Sequence, residues 1–362
     1  MNSFFTCSAR AAEAGHGATR IARRAGSAVT VDIHCHVVTP EAVELTKAHF
    51  RPEYEPAIWF ASPESRVINR AQQAAMNNRL TTAEVRLTDM DRLDIDVQAI
   101  SPAPLQYYYW ADAELGRSAA RLINNRLSEI ASHHPDRFVA LGTVPLQAPE
   151  LAVAEMQRCA RELGMRGIEI CSNVNGKELS DLALRPVFAA AEELDILIFI
   201  HPMGFTQGDR MREHYLSNTI GNPLDSTIAV SHLISGGVLE SYPGLKICVA
   251  HGGGYLPMYS GRCDHAYHAR ADCRAHISRP PSEYLKRLFF DSVVFDRQQL
   301  EYMVAKYGAD HVLMGSDYPY DMAEQDPVGF VTSAALSPED RAKIMGGNAA
   351  RLLKIGTPAV AR

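Results

Sequence analysis

Side chains able to bind a metal or move a proton stand at the ends of apolar runs in this sequence. The first two are His34 and His36, in the segment Val-Asp-Ile-His-Cys-His at residues 31–36. Alternate side chains on a strand point to the same face, so these two imidazoles are expected to project together. An isolated His-x-His is most often a pair of surface histidines. Two imidazoles at one strand end are also the beginning of a transition-metal site.

Three later apolar runs end in the same kind of residue, and this disfavours the surface interpretation. His201 follows Ile-Leu-Ile-Phe-Ile, His251 follows Ile-Cys-Val-Ala, and Asp317 follows Val-Leu-Met-Gly-Ser. A single histidine at a strand end is usually a hydrogen-bonded rim residue. One small cation explains all of these positions together, so the sequence predicts a metal centre.

The predicted centre holds one metal ion and a water molecule. Its predicted ligands are His34, His36, His201 and Asp317. Three imidazoles and one carboxylate suit Zn²⁺ and also accept Mn²⁺, Fe²⁺ or Co²⁺. A second metal would need a bridging group at the end of the fourth strand, where the sequence offers only Glu169, inside the apolar run.

His251 is the predicted acid–base residue beside the metal, because an imidazole titrates near working pH and can relay a proton. The alternative exchanges two roles, with His251 as a ligand and Asp317 as the base. Both are therefore predicted catalytic residues. Arg262 is a candidate clamp for a substrate carboxylate, although it stands about three helical turns beyond His251. A surface salt bridge is the alternative for Arg262. Asp291 is expected either to support the site or to cap a helix.

These side chains need a fold that gathers the ends of the first, fifth, sixth and eighth strands. Eight apolar runs, separated mostly by helical patterns, follow from residue 31, the last two at 285–290 and 311–315. Their continuous Val/Ile/Leu character is typical of parallel strands covered on both faces. The sequence predicts an α/β fold, a (β/α)₈ TIM barrel over residues 31–362, with the site at the carboxyl ends of the strands. A doubly wound open sheet is the alternative.

An insertion after strand one, residues 41–87, shows no clean period and is punctuated by prolines. We expect it to lie over the active-site mouth, with a helical piece at residues 70–76, since long excursions in compact domains are usually functional. Arg79 near its end is a candidate substrate contact, and a solvated arginine is the alternative.

Composition limits the class of protein. Hydrophobic residues make up 46% of the 362 residues, and the formal net charge of −6 argues against a nucleic-acid partner. No apolar run approaches the roughly 20 residues that a membrane helix needs. Seven scattered cysteines without Cys-x-x-Cys predict a reducing, cytoplasmic location. Residues 1–30, rich in Ala, Gly and Arg, are interpreted as a disordered extension or a start codon placed too early.

The motifs together resemble the amidohydrolase superfamily, and more closely its decarboxylase branch, the α-amino-β-carboxymuconate-ε-semialdehyde decarboxylases. The matching strings are Val-Asp-Ile-His-Cys-His, Phe-Ile-His-Pro, His-Gly-Gly-Gly, Gly-Ser-Asp-Tyr-Pro, Gly261-Arg262-x-Asp264 and Arg-Pro-Pro-Ser-Glu-Tyr at 279–284. The resemblance covers about residues 31–355.

This resemblance implies a metal-dependent, non-oxidative decarboxylation of a carboxymuconate semialdehyde or a related aromatic-degradation acid. It implies zinc on the four predicted ligands, with His251 as the acid–base residue. It also implies that Arg262 binds the carboxylate of a small-molecule substrate from the neighbouring subunit of a homodimer.

Two departures from the family pattern concern the substrate. The segment Arg210-Met-Arg-Glu-His214-Tyr215 lacks the family's tryptophan, so His214 is a candidate substrate contact. Arg79 matches the family's second clamp arginine only loosely. Relatives in this branch also act on hydroxybenzoates, and some carry Glu in place of the second histidine, so His36 favours the muconate type.

Two other functions remain open at this point. One is a metal-dependent hydrolase or hydratase of the same barrel, for example a lactone-opening enzyme. The other is a non-enzymatic binding protein that has kept the barrel, which the complete ligand set disfavours.

Overall fold

The computed structural model describes residues 29–355, and its centre is one sheet of eight parallel strands. Each strand pairs with the next one along the chain. The strands are β1 (Val31–Val37), β2 (Val97–Pro102), β3 (Phe138–Gly142), β4 (Gly167–Cys171), β5 (Leu197–His201), β6 (Lys246–Val249), β7 (Phe289–Asp291) and β8 (Val312–Leu313). Apart from residues 29 and 30, the predicted N-terminal extension lies outside the described residues.

The sheet closes on itself into a barrel. The backbone N–H of Ile33 donates to the carbonyl of Met314 at 2.9 Å, and that of His36 donates to the carbonyl of Tyr318 at 2.8 Å. These bonds join β1 to β8 and to the segment that follows it. Inside the barrel, Ile33 and Phe199 are fully buried. The predicted (β/α)₈ TIM barrel is confirmed, and the open-sheet alternative is excluded.

Helices pack around the barrel, and some of those between β1 and β2 line a cavity at its carboxyl end. The helices are α1 (Pro40–Thr46), α2 (Pro56–Trp59), α3 (Pro63–Thr81), α4 (Ala83–Arg92), α5 (Ala113–His133), α6 (Pro149–Arg161), α7 (Arg185–Glu193), α8 (Asn222–Ser235), α9 (Val238–Ser241), α10 (Leu256–Tyr259), α11 (Gly261–Ala269), α12 (Pro281–Leu285), α13 (Arg297–Tyr307), α14 (Pro327–Ser333), α15 (Pro338–Ala342) and α16 (Asn348–Leu352). None of the helices within residues 29–355 is both long enough and apolar enough to cross a bilayer.

The segment between β1 and β2 is mostly helical and carries α1 to α4. The helical piece expected at residues 70–76 is part of α3, which has 19 residues. Its start is well specified, since the Ser62 hydroxyl accepts a hydrogen bond from the N–H of Ser65 at 3.1 Å and Pro63 stands in the first turn. Only Leu80 of α3 is buried, which explains why the sequence shows no clear helical period there.

Strand β7 begins later than its apolar run suggested. The run was expected to be extended over residues 285–290, but Leu285 belongs to α12 and the strand covers only Phe289–Asp291. Pro281 starts that helix, and both Tyr284 and Leu285 are buried within it. Apolar residues that pack a short helix cannot be distinguished by type from those of a buried strand.

Candidate metal centre and active site

Strand β1 presents two fully buried histidines whose outer ring nitrogens are hydrogen-bonded. Nδ1 of His34 lies 2.6 Å from Oδ2 of Asp291, at the end of β7. Nδ1 of His36 lies 3.1 Å from the carbonyl of Pro102, at the end of β2. A carboxylate and a carbonyl can only accept, so both Nδ1 atoms donate and both Nε2 atoms keep free lone pairs.

Those lone pairs point at one another and at a carboxylate. The two Nε2 atoms of His34 and His36 are 3.1 Å apart. Oδ1 of Asp317 lies 3.3 Å from Nε2 of His34 and 3.1 Å from Nε2 of His36. Three acceptors this close repel each other unless a proton or a cation lies among them. The arrangement therefore fits a bound metal ion.

Two further histidines complete the cluster. His201, at the end of β5, is 4% exposed, and neither of its ring nitrogens has a hydrogen-bond partner among the described residues. Nε2 of His251 lies 3.5 Å from Oδ2 of Asp317, and its ring centroid is 4.9 Å from that of His201. A buried imidazole left without partners is costly unless it binds something, and a cation supplies that partner.

All five predicted metal and acid–base residues therefore meet at one point. Within the described part of the chain, ligand atoms of four of them lie within 4.8 Å of one another, namely His34, His201, His251 and Asp317. The predicted ligand set instead has His36 and leaves His251 to move protons. His36 contacts both His34 and Asp317, so the geometry accommodates either division of roles, which remains a prediction.

The electrostatics of the cluster favour the metal-binding forms of Asp317 and His201. Burial alone would raise the pKa of Asp317, but the surrounding imidazoles, His34 first, hold it well below its ordinary value. Burial and the three neighbouring histidines lower the pKa of His201 well below its ordinary value. An ionised carboxylate and a neutral imidazole are the forms that bind a divalent cation. Burial alone would lower the pKa of His34, but the carboxylates of Asp317 and Asp291 raise it well above its ordinary value, so a proton and a metal ion compete for this imidazole.

Two of the five residues have a strained backbone. His251 has φ of 55° and Asp317 has φ of 65°, both in the left-handed region that residues other than glycine rarely adopt. Such strain costs about 1–3 kcal/mol and persists at functional sites where the surrounding structure enforces it. Gly252 continues the turn with φ of 62°, and a Cβ there would lie 2.4 Å from Cγ1 of Val294.

Asp291 holds the site together. Besides Nδ1 of His34, its carboxylate accepts from the N–H of His251 at 3.0 Å and from the N–H of Gly252 at 2.7 Å. It therefore orients a ring of β1 and positions the strained turn after β6. Of the two roles expected for Asp291, the structure selects support of the site.

Glu169 of β4 does not face the convergent nitrogens. Its Oε1 accepts from the hydroxyl of Tyr107 at 2.6 Å and lies 3.9 Å from Nδ1 of His36, the side of that ring turned away from the cluster. Burial raises the pKa of Glu169. The Oε1 atom of Glu169 is thus engaged away from the convergent nitrogens, which favours a centre with one metal.

Three members of the cluster border a cavity of about 550 Å³. His201, His251 and Asp317 line it from the barrel. The segment between β1 and β2 supplies much of the wall. Its contributions are Ala57, Ile58, Ala61, Arg66, Asn69, Arg70, Gln72, Gln73 and Met76. A volume of this size suits a small organic molecule.

The three residues predicted to bind substrate do not line this cavity within the described structure. Nε of Arg79 lies 2.8 Å from Oδ2 of Asp89, so this guanidinium is paired inside the protein. The side chain of His214 is 81% exposed. Arg262, the second residue of α11, is exposed.

Two arginines that the sequence reasoning did not single out line the cavity instead. Arg66 donates through Nε and Nη2 to the carbonyls of Ala61 and Trp59, both at 3.1 Å. Arg70 donates through Nε to the carbonyl of Arg66 at 3.2 Å. No carboxylate of residues 29–355 pairs with either guanidinium. The signal was their spacing of four residues, which puts them on one face of a helix once α3 is known to begin at Pro63.

Comparison with known proteins identifies the family. The amidohydrolase family model matches residues 31–355. The chain belongs to the amidohydrolase family. It also belongs to the decarboxylase branch of that family, as its relatives show.

The chain is 37% identical to the 2-amino-3-carboxymuconate-6-semialdehyde decarboxylase of Dictyostelium discoideum over 272 residues, which are 75% of this chain and 76% of the relative. It is 28% identical to the γ-resorcylate decarboxylase of Rhodococcus jostii (strain RHA1), over 76% of this chain and 88% of the relative. Among solved structures, it is similar to the 5-carboxyvanillate decarboxylase of Novosphingobium aromaticivorans, complexed with manganese and 4-hydroxy-3-methoxy-5-nitrobenzoic acid. That similarity has a TM-score of 0.83, with 26% identity, and covers 94% of this chain and 100% of the other.

Proposed function

We propose that this protein is a metal-dependent, non-oxidative decarboxylase of a carboxymuconate semialdehyde or a related aromatic-degradation acid. One observation carries the proposal. Acceptor atoms of His34, His36 and Asp317 converge in an arrangement that fits a cation, Asp317 also lines the cavity, and the cavity wall contains Arg66 and Arg70, neither of which has a carboxylate partner among the described residues. A cation and two guanidinium groups are suited to an anionic carboxylate substrate. The decarboxylase relatives support the same conclusion.

The metal ligands in this proposal are His34, His36, His201 and Asp317. When bound there, a divalent cation supplies Lewis-acid stabilisation of negative charge on substrate oxygens. The nitrogen-rich ligand set favours Zn²⁺, while Mn²⁺ is the alternative suggested by the manganese complex of a structural neighbour. Metal analysis of the purified protein separates the two.

His251 would move the proton of the reaction. It borders the cavity, its Nδ1 has no partner within the described structure, and Asp317 lies beside its Nε2. A protonated imidazole can give its proton to the substrate carbon that carries the carboxylate. The bond between that carbon and the carboxylate then breaks, its electron pair returns to the conjugated system, and CO₂ leaves. Water restores the proton to His251.

We propose that the active form is a homodimer in which Arg262 reaches the site of the partner subunit. Two observations support this. Arg262 is exposed and has no ion-pair partner among residues 29–355. Aromatic side chains just before it in sequence are also exposed, with Tyr255 at 38% and Tyr259 at 67%. Exposed aromatic residues grouped on one surface are typical of protein–protein interfaces. Arg79 and His214 have no assigned role in this proposal.

A reducing, cytoplasmic location remains part of the proposal. All six cysteines within the described residues are free thiols, and four of them are buried. That pattern is the one expected where thiols stay reduced.

The deciding experiment is a product assay. The metal-stripped protein is reconstituted with Zn²⁺ or Mn²⁺ and incubated with carboxymuconate semialdehydes, hydroxybenzoates and lactones, and released CO₂ is measured. We expect CO₂ from at least one carboxylated substrate, dependent on the metal. Addition of water without CO₂ release would instead establish the hydrolase or hydratase alternative.

A further inference from the structure

Asp321 is a carboxyl group in the substrate cavity that the proposed chemistry does not use. It stands four residues after the metal-site residue Asp317 in the sequence and lines the same cavity as His201 and His251. Its Oδ1 accepts a hydrogen bond from the hydroxyl of Tyr215 at 3.3 Å. An acidic group beside a site for anionic substrates calls for a physical explanation, because like charges repel.

No cation compensates Asp321. Within residues 29–355, no Lys, Arg or His nitrogen lies within 4 Å of its carboxylate. Burial raises its pKa, opposed by hydrogen bonds from the neutral side chains of Gln72 and Tyr215. The carboxyl group therefore has neutral hydrogen-bond donors around it but no positively charged partner. A half-buried carboxyl in this state is stabilised by a further hydrogen-bond donor that enters the cavity.

The charged groups of the cavity come from two segments of the chain. Arg66 and Arg70 lie on α3, in the segment between β1 and β2, whereas Asp321 lies in the segment after β8, next to the metal-site residues. A substrate carrying only carboxylates matches the two arginines but is repelled at Asp321. A substrate that also carries a hydrogen-bond donor matches both the arginines and Asp321.

We infer that Asp321 is a specificity-determining residue, which accepts a hydrogen bond from a hydroxyl or amino substituent of the substrate and excludes a second carboxylate from that position. This inference rests on the proposed decarboxylase function and narrows its substrate class to hydroxy- or amino-substituted carboxylic acids. Tyr215 is a positioning residue, since its hydroxyl donates to Oδ1 of the carboxyl and leaves other lone pairs of the group for the substrate.

The test measures binding rather than turnover. Metal-loaded protein is titrated calorimetrically with 2-, 3- and 4-hydroxybenzoate and with the matching methoxybenzoates, which have the ether oxygen but no donor. We expect the wild type to bind at least one hydroxybenzoate about tenfold or more tightly than its methoxy partner, the usual effect of a hydrogen bond to a charged group. In Asp321→Leu the hydroxybenzoate and its methoxy partner should bind with dissociation constants that differ by no more than about twofold.

A second variant separates recognition from structure. Asp321→Asn keeps one acceptor oxygen in nearly the same shape, so it should retain part of the hydroxyl preference and bind a benzene dicarboxylate more tightly than the wild type does. The control is Asp310→Asn, the same chemical change at a carboxylate that is 60% exposed and outside the cavity, where the hydroxyl preference should not change.

Two results would overturn the inference. One is a wild type that binds each methoxybenzoate as tightly as its hydroxybenzoate. The other is an unchanged preference in Asp321→Leu. A hydroxyl preference that depends on Asp321, in a protein that releases no CO₂ from any substrate, would support the role of Asp321 and contradict the decarboxylase function.

Discussion

At the scale of single residues, metal binding depends on which ring nitrogen of His34 and of His36 carries the hydrogen atom. Because Asp291 and the carbonyl of Pro102 accept hydrogen bonds from the Nδ1–H groups of His34 and His36, the Nε2 lone pairs of both rings face Asp317. The tautomers are thus set by groups outside the cluster, and the metal affinity of the site follows from them. The acceptor for His36 is a backbone carbonyl, which any residue at position 102 would offer, whereas replacement of Asp291 by a residue without an acceptor would leave His34 without a defined tautomer.

The division of roles between His201 and His251 can be tested directly. His201→Ala should lose both the metal and the activity, because it removes a predicted ligand. His251→Ala should keep the metal and lose turnover by about two to four orders of magnitude, the usual contribution of a general acid. Bound metal is measured by elemental analysis and turnover by CO₂ release.

The control for these variants is His133→Ala, an exposed position at the end of α5 where neither quantity should change. If His251→Ala loses as much metal as His201→Ala, His251 is a ligand. The role of base would then pass to Asp317, the alternative that the sequence left open.

At the scale of elements, the segment between β1 and β2 is attached to the barrel by a buried carboxyl. Glu55, just before α2, is 2% exposed, and its Oε1 accepts from Nε1 of Trp110 at 2.9 Å. Trp110 also stacks on Tyr54, with ring centroids 5.4 Å apart. Oε2 of Glu55 has no partner among the described residues. Since α2 lines the cavity through Ala57 and Ile58, this attachment helps to shape the substrate wall.

The attachment predicts a pH dependence of stability. Burial raises the pKa of Glu55 from 4.5 to about 8. Between these values the folded protein holds a proton that the unfolded chain releases, so this group's contribution to the free energy of unfolding falls as pH rises and is lost above about pH 8. The slope is at most about 1.4 kcal/mol per pH unit.

Glu55→Gln should remove this slope, because the amide keeps the acceptor for Trp110 and cannot ionise. Denaturant unfolding between pH 5.5 and 8.5 should show the variant gaining stability over the wild type as pH rises. Glu53→Gln, at an exposed carboxylate two residues away, is the matched control and should follow the wild type. A constant difference between Glu55→Gln and the wild type across this range would contradict the assignment.

At the scale of the whole molecule, the proposed dimer makes a quantitative prediction. Arg262→Ala and His251→Ala should each be nearly inactive alone, the first through a higher KM. If Arg262 acts across the interface, mixed dimers contain one complete site, formed by the intact His251 of one subunit and the intact Arg262 of the other. Random mixing should then restore about a quarter of the wild-type activity.

To check this expectation, the two variants are mixed, partly denatured and refolded together, and CO₂ release by the mixture is then measured. A mixture no more active than its two components would place Arg262 in its own subunit or outside the site. Sedimentation of the wild type provides the control, since a monomer at assay concentration would exclude the mechanism altogether.

The sequence alone determined the barrel and the group of residues that converges at its carboxyl end. Eight continuous apolar runs separated by helices require parallel strands covered on both faces, and the carboxyl ends of such strands meet at one end of a barrel. His34, His36, His201, His251 and Asp317 all stand at those ends, so their convergence followed from the order of elements. Local residue types were sufficient because the position of each residue is defined by the strand that carries or precedes it, with His34 and His36 sharing β1.

The tertiary structure alone decided what surrounds that centre. Arg79 pairs with Asp89 rather than facing the cavity, while Arg66, Arg70 and Asp321 form its charged walls. The Arg79–Asp89 pair forms within the segment between β1 and β2, through the turn that joins α3 to α4, whereas the placement of Arg66 and Arg70 around one cavity with Asp321 depends on how that segment lies over the barrel. A local pattern records which side chains are present, whereas their neighbours across the cavity are set by packing between distant segments.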